Sequence, residues 1–233
     1  MPVGLLAVGA ALRFVADSRG TRRPIFAQNA SLTAAVFFTA QFFQNAQGQG
    51  PLSAGLRLLP VGAVPLLAAT RSGALADRFG PRPLVLIGLA LQASGIAALA
   101  SLGAPHRSYL VLVGPLILLA VGLTVALPAL TKAVVGLAES GDIGIASGLF
   151  TTLRQLGGAF GVAVTTTAFT AVGGYGRAAS VASGYDGAMY VAAALGALGA
   201  FAALGLRTHA AGRPPPREAG RTLPPARLRS GAR

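Results

Sequence analysis

The chain contains no cysteine and no tryptophan, and it carries only two histidines and six acidic residues in 233 positions. Without cysteine there is no disulfide framework and no thiolate metal site. The histidines, His106 and His209, fall in a short connection and in the C-terminal tail, so no metal cluster or Ser/His pair is available. The acids are Asp17, Asp77, Glu139, Asp142, Asp186 and Glu218, all read as lying in loops or at the ends of apolar segments. An intramembrane protease built on paired carboxylates at membrane depth is therefore excluded. No enzyme, no metal and no cofactor is expected.

Charge of either sign is also scarce. Charged residues make up 11% of the chain and hydrophobic ones 53%, against roughly a quarter charged in ordinary soluble domains. The segments 84–102 and 109–127 and the segment 189–206 contain no Lys, Arg, Asp or Glu. About 20 such residues cross the ~30 Å hydrocarbon core as a helix. A soluble helix would keep a polar stripe for water, and these segments have none. The composition specifies an all-α integral membrane protein.

Spans are expected at about 31–46, 52–70, 84–104, 109–136, 146–172 and 186–206. Pro115 and Pro128 lie inside the fourth, whose length tolerates a kink or tilt. The apolar stretch 2–12 is too short to cross. It lacks the basic n-region and small-residue cleavage site of a signal peptide. The resulting organisation is the end of a truncated transmembrane helix over 1–16, a cytoplasmic linker over 17–30, a six-helix bundle over 31–206, and a disordered, basic cytoplasmic tail over 207–233.

The net charge is +13, and its distribution sets an expected orientation, because Lys and Arg are retained on the cytoplasmic side. Arg13, Arg19, Arg22 and Arg23 precede the first span, Arg71, Arg78 and Arg82 follow the second, and seven arginines lie in 207–233. The alternate connections carry only Arg107 and Arg177. Both ends of the bundle are thus expected in the cytoplasm. Topology accounts for the charge, and no interleaved basic and aromatic surface suggests a nucleic-acid partner. The Pro-rich, basic tail suits contact with anionic headgroups of the lipid bilayer.

The most specific local pattern is Gly73-Ala74-Leu75-Ala76-Asp77-Arg78-Phe79-Gly80-Pro81-Arg82, read as a short cytoplasmic loop between two spans. By itself it could be a hairpin turn with a positive-inside cluster. It resembles the loop motif of the major facilitator superfamily, with Gly73, Leu75, Asp77, Arg78, Gly80 and Arg82 at matching positions and Pro81 at a position that is usually basic. The run Gln49-Gly50-Pro51-Leu52-Ser53-Ala54-Gly55-Leu56-Arg57-Leu58-Leu59-Pro60 is similar to one that enters a helix in the fourteen-helix drug:proton antiporter branch. Gly144 to Gly148, followed by Arg154-Gln155-Leu156-Gly157-Gly158-Ala159-Phe160-Gly161, is similar to the penultimate-helix signature of that branch.

What the resemblance implies is the C-terminal half of a secondary transporter, a proton-coupled exporter of drugs or other small molecules. In such a fold the substrate path lies between two bundles near the midplane. Gly73, Asp77, Arg78, Gly80 and Arg82 would act as a conformational latch on the cytoplasmic side. The expected partners are the bilayer, a small-molecule substrate and an N-terminal transporter half, with a homodimer as the lesser alternative. A stand-alone membrane accessory or assembly subunit without transport activity is the competing reading.

Residues that could line a substrate cavity are fewer. Gln41, Gln44 and Asn45 share one helical face beside Phe37, Phe38, Phe42 and Phe43. Polar groups at membrane depth face a cavity or a partner helix, so ligand contact and interhelical hydrogen bonding both remain open. Arg154 lies well inside a span, with Gln155 beside it and Thr151 and Thr152 one turn earlier. Those threonines could extend the lining or bond back to their own helix. Gly157, Gly158 and Gly161 sit within an apolar helix rather than after a strand, which makes them packing glycines and not a phosphate loop.

Overall fold

A computed structural model describes residues 22–135 and 143–205. The expected truncated helix over 1–16 and the tail over 207–233 lie outside the described residues, as do Asp17, Glu139, Asp142, His209 and Glu218. Among the described residues the ordered elements are helices: α1 (Arg22–Gln41), continued by a π-helical turn (Phe42–Ala46), α2 (Pro51–Arg57), α3 (Leu59–Phe79), α4 (Pro81–Leu102), α5 (Tyr109–Val135), α6 (Ile143–Val172) and α7 (Ala178–Leu204). Five stretches are long and apolar enough to cross a membrane: Pro51–Ala68, Pro81–Leu102, Tyr109–Ala133, Ser147–Val172 and Ala178–Leu204.

The sixth member of the bundle is α1 with its π turn, long enough at roughly 37 Å by the rise of 1.5 Å per residue. Its polar content keeps it out of the apolar class. The cytoplasmic linker expected over 17–30 is corrected here: from Arg22 onward that segment is helix, and Ile25, Ala27, Gln28 and Ala30 are buried. Gln28 and Asn29 interrupt the apolar run, but both side chains bond inside the bundle, so the helix continues through them.

Helix α3 packs on α5, α5 on α4, α4 on α7, and α7 on both α1 and α6, which also pack on each other. Successive long helices alternate in direction, so Arg22, Gly80 and Gly205 lie at one end, called here the Gly80 end. Two apolar clusters fill the interior. The one near the Gly80 end contains Ile25, Ala76, Leu84, Val85, Leu89, Leu130, Leu153 and Ala203. The other, near the π turn, contains Phe38, Phe42, Phe43, Leu99, Leu116, Phe169, Tyr185 and Met189.

Lipid tails are as apolar as leucine, so close approach of backbones rather than hydrophobic burial holds such helices together. Two glycine seams provide it. Along α4 and α5, a Cβ added at Gly88 or Gly95 would run into the backbone of Ala126 or Leu119, and one added at Gly122 into the backbone of Gln92. Along α1 and α6, a Cβ at Gly157 or Gly161 would overlap the carbonyls of Phe26 and Ala30, and one at Gly158 the Thr33 hydroxyl.

Three further expectations change. The second span is broken at Leu58, where Pro60 in the first turn of α3 has no N–H to continue the ladder. The segment read as a loop around Asp77 is helical through Phe79 and resumes as helix at Pro81, leaving Gly80 as the entire junction. The last helix starts at Ala178 rather than near 186, which places Asp186 inside α7.

Candidate functional site

The Gly80 junction is built by backbone preference. Gly80 has φ 79° and ψ 164°, a combination open essentially to glycine alone. Pro81 follows at the first position of α4, where a missing N–H costs nothing and a fixed φ favours the helix. The departure from the loop motif at Pro81 is thus a helix start. Asp77 belongs by its backbone to the last turn of α3. Arg78, exposed, stacks its guanidinium over the Phe79 ring at 5.5 Å.

Two cations tie neighbouring helices together at this end. Arg82 Nη2 donates to the carbonyl oxygen of Leu204, the last residue of α7, at 2.6 Å. That carbonyl has no partner within its own helix, and a cation there also meets the negative end of the helix dipole. Lys132 Nζ of α5 donates to the Ala76 carbonyl of α3 at 3.4 Å. Of the five residues expected to form a latch, Gly80 shapes the junction, Arg82 crosses to α7, and Gly73 faces open space.

The candidate cavity residues form two patches rather than one. Gln41 ends α1, and Asn45 Nδ2 in the π turn donates to its carbonyl at 3.1 Å and to its Oε1 at 2.6 Å. Gln44 and Asn45 are exposed, while Phe42 and Phe43 turn inward. Arg154 and Gln155 lie toward the opposite end, because Asn29 donates to the Arg154 carbonyl. Asn29 and Gln41 are roughly 18 Å apart along α1 at 1.5 Å per residue.

Arg154 is half-buried with its guanidinium 5.7 Å from the Phe150 ring centroid, and its Nε is buried without a hydrogen-bond partner. Thr151 and Thr152 bond back to the carbonyls of Ser147 and Gly148, but both remain exposed. Ser147, Thr151 and Gln155, all exposed, form a polar stripe at i, i+4 and i+8 along α6 that faces away from its own bundle, with Thr152 beside it.

Several polar groups escaped the sequence reading. Gln28 and Gln92 are fully buried and bond to each other between α1 and α4, with Gln92 Nε2 donating to the Gln28 carbonyl at 3.1 Å. Gln92 is the lone amide in a charge-free apolar run, and that was the available signal. At the π-turn end, Tyr185 stacks on Phe42 at 4.5 Å between ring centroids. Asp186 follows it at the same depth, close to the end of α1, with one carboxylate oxygen buried and unpartnered. Arg57 donates to Gln47 Oε1 at 2.7 Å and lies over the Phe43 and Tyr109 rings. Among the described residues no group of three or more His, Cys, Asp or Glu side chains could hold a metal ion.

Close-packed apolar helices of alternating direction, a one-residue glycine junction flanked by Arg78 and Arg82, and a polar stripe turned outward define a multi-pass all-α membrane protein. Residues 25–231 match the profile of the Major Facilitator Superfamily, and the chain belongs to that family. It is 30% identical over 134 residues to a tetracenomycin C resistance and export protein of Streptomyces glaucescens, covering 58% of this chain and 25% of that protein. It is 32% identical over 136 residues to a lincomycin resistance protein of Streptomyces lincolnensis, covering 58% and 28%. With the drug efflux pump JefA of Mycobacterium tuberculosis the identity is 36% over 127 residues, covering 54% and 25%. The matched stretches thus span about a quarter of the length of these relatives.

Proposed function

We propose that this bundle works as the C-terminal one of two in a secondary transporter that exports drugs or similar small molecules. The observation that carries the reading is the stripe of Ser147, Thr151 and Gln155 on α6, with half-buried Arg154 beside it. Polar groups on a membrane-crossing helix require a partner or a water-filled cavity, and the stripe is not covered by its own bundle. A second bundle packed opposite α6 would enclose it and place it on the substrate path. The names of the relatives, which speak of drug resistance and export, support a small-molecule cargo.

In this reading the Gly80 end faces the cytoplasm, and the junction around Asp77, Arg78 and Arg82 latches that side. The arginine distribution supports this orientation. Coupling to protons needs a carboxylate near the middle of the bilayer. Asp77 and Asp186, the acidic residues among the described ones, belong to opposite ends of the bundle, so the second bundle would supply that group.

The test uses single cysteines in the cysteine-free chain, assembled with a second bundle. A cysteine at Gln155 should react with a water-soluble maleimide and be protected by transported substrate. A cysteine at Phe79 should be reached only from the cytoplasm, and one at Pro105 from outside. An unreactive Gln155 position, or Phe79 labelled in intact cells while Pro105 is not, would contradict the reading.

A further inference from the structure

A groove of about 480 Å³ runs between α4 and α7 on the outer surface of the bundle, a volume within the roughly 300–1,000 Å³ of ordinary ligand clefts. The side chains that line it are all apolar. Small side chains, Ala93, Ala197 and Ala200, make the floor, while Ile87 and Phe201 stand exposed as walls. Leu204 closes the lining at the Gly80 end. Leu204 is also the residue whose carbonyl receives the Arg82 guanidinium. Arg82 stands one helical turn before Leu86, another lining residue, so by the i, i+4 rule both lie on one face of α4. The groove is therefore a hydrocarbon slot with a cation at its mouth.

We propose that this groove binds an acyl chain of an anionic phospholipid and that Arg82 holds its phosphate. The slot lies along two helices that are long and apolar enough to cross the membrane, where acyl chains are the surrounding solvent. Arg82 falls two residues before the buried part of α4 begins at Leu84 and Val85, at the level where headgroups meet a helix end. A guanidinium suits phosphate because several N–H groups point in one plane, and one bond to Leu204 leaves others to donate. The chain's own segment after Leu204 is rich in Arg, Pro and Gly, the wrong chemistry for an all-apolar slot. The proposal needs only membrane residence and does not depend on transport.

Native mass spectrometry of the purified chain, supplied with phosphatidylglycerol or phosphatidylcholine, tests it. Wild type should retain phosphatidylglycerol roughly fivefold to tenfold better, the scale of one arginine at an anionic headgroup. Arg82→Gln should remove that preference, and Arg82→Lys, which keeps the charge, should largely preserve it. Ala90→Phe, at an exposed position in the groove, should reduce retention of both lipids without disturbing the packed interior. Equal retention of the two lipids by wild type would overturn the proposal, as would a preference that survives Arg82→Gln or retention unchanged in Ala90→Phe. A lipid-free dimer would overturn it too, by assigning the face to a second copy.

Discussion

Arg82 at the start of α4 donates its guanidinium to the main-chain oxygen of Leu204 at the end of α7, so one side chain closes the helix C-terminus farthest from it in the chain. Removing it should loosen the α4–α7 contact at that end. A partly exposed, charge-assisted bond of this kind contributes about 1 kcal/mol. Arg82→Ala should lower the thermal unfolding midpoint of the detergent-solubilised protein by a few degrees, with Arg82→Lys intermediate. An unchanged midpoint would mean that the bond adds nothing to stability.

Two glycine-to-alanine variants should differ in sign. Gly80→Ala forces an L side chain into backbone space that is strained by about 1–3 kcal/mol. Gly114 lies in α5, where an added Cβ meets nothing within 4 Å. Gly114→Ala should be neutral or stabilising, since alanine is favoured over glycine in a helix by roughly 0.5–1 kcal/mol. Unfolding midpoints of the two variants, measured side by side, check the ordering.

The interior should respond more strongly to volume than to polarity. Gly161→Val drives a branched side chain into the Ala30 backbone of α1, where neither neighbour can move aside, and overpacking costs about 1–3 kcal/mol. Gln92→Leu removes the two hydrogen bonds between Gln92 and Gln28, each worth only about 0.6 kcal/mol on average in a membrane protein. The valine variant should therefore be the less stable in a common unfolding assay. The reverse order would assign the α1–α4 contact, rather than the α1–α6 seam, the larger share of stability.

How far the sequence could be read depended on whether polar residues were satisfied internally. The helices over 81–102 and 109–135 are close to their expected positions because nothing charged interrupts their apolar cores. The start of α1 was misplaced because Gln28 and Asn29 resemble a span boundary until Gln92 and the Arg154 carbonyl are seen opposite them. The same applies to α7, where Gly184 and Asp186 look like an end, yet Gly184 lies against the Phe169 ring. The motif around Asp77 was legible as a position but not as a shape: helix propensity carries α3 through it to Gly80. The outward direction of the α6 stripe depends on which face of α6 meets α1, and that follows from the glycine seam rather than from hydropathy.

Asp77 should matter for switching rather than folding. It sits by its backbone in the last turn of α3, three residues before the Gly80 junction to α4. Asp77→Asn should insert and unfold like wild type while transport by the complete two-bundle assembly falls at least tenfold, about 1.4 kcal/mol. Normal transport, or failure to insert, would contradict the latch.

The central claim is that the bundle exports only together with a second one. The purified chain, reconstituted alone in liposomes with an imposed pH gradient, should move no lipophilic cationic dye above the level of empty liposomes, since its outward polar stripe on α6 lacks an opposing wall and no described carboxylate lies at mid-depth. Gradient-dependent dye movement by this chain alone would contradict both the two-bundle account and the assignment of the proton-carrying group to the second bundle.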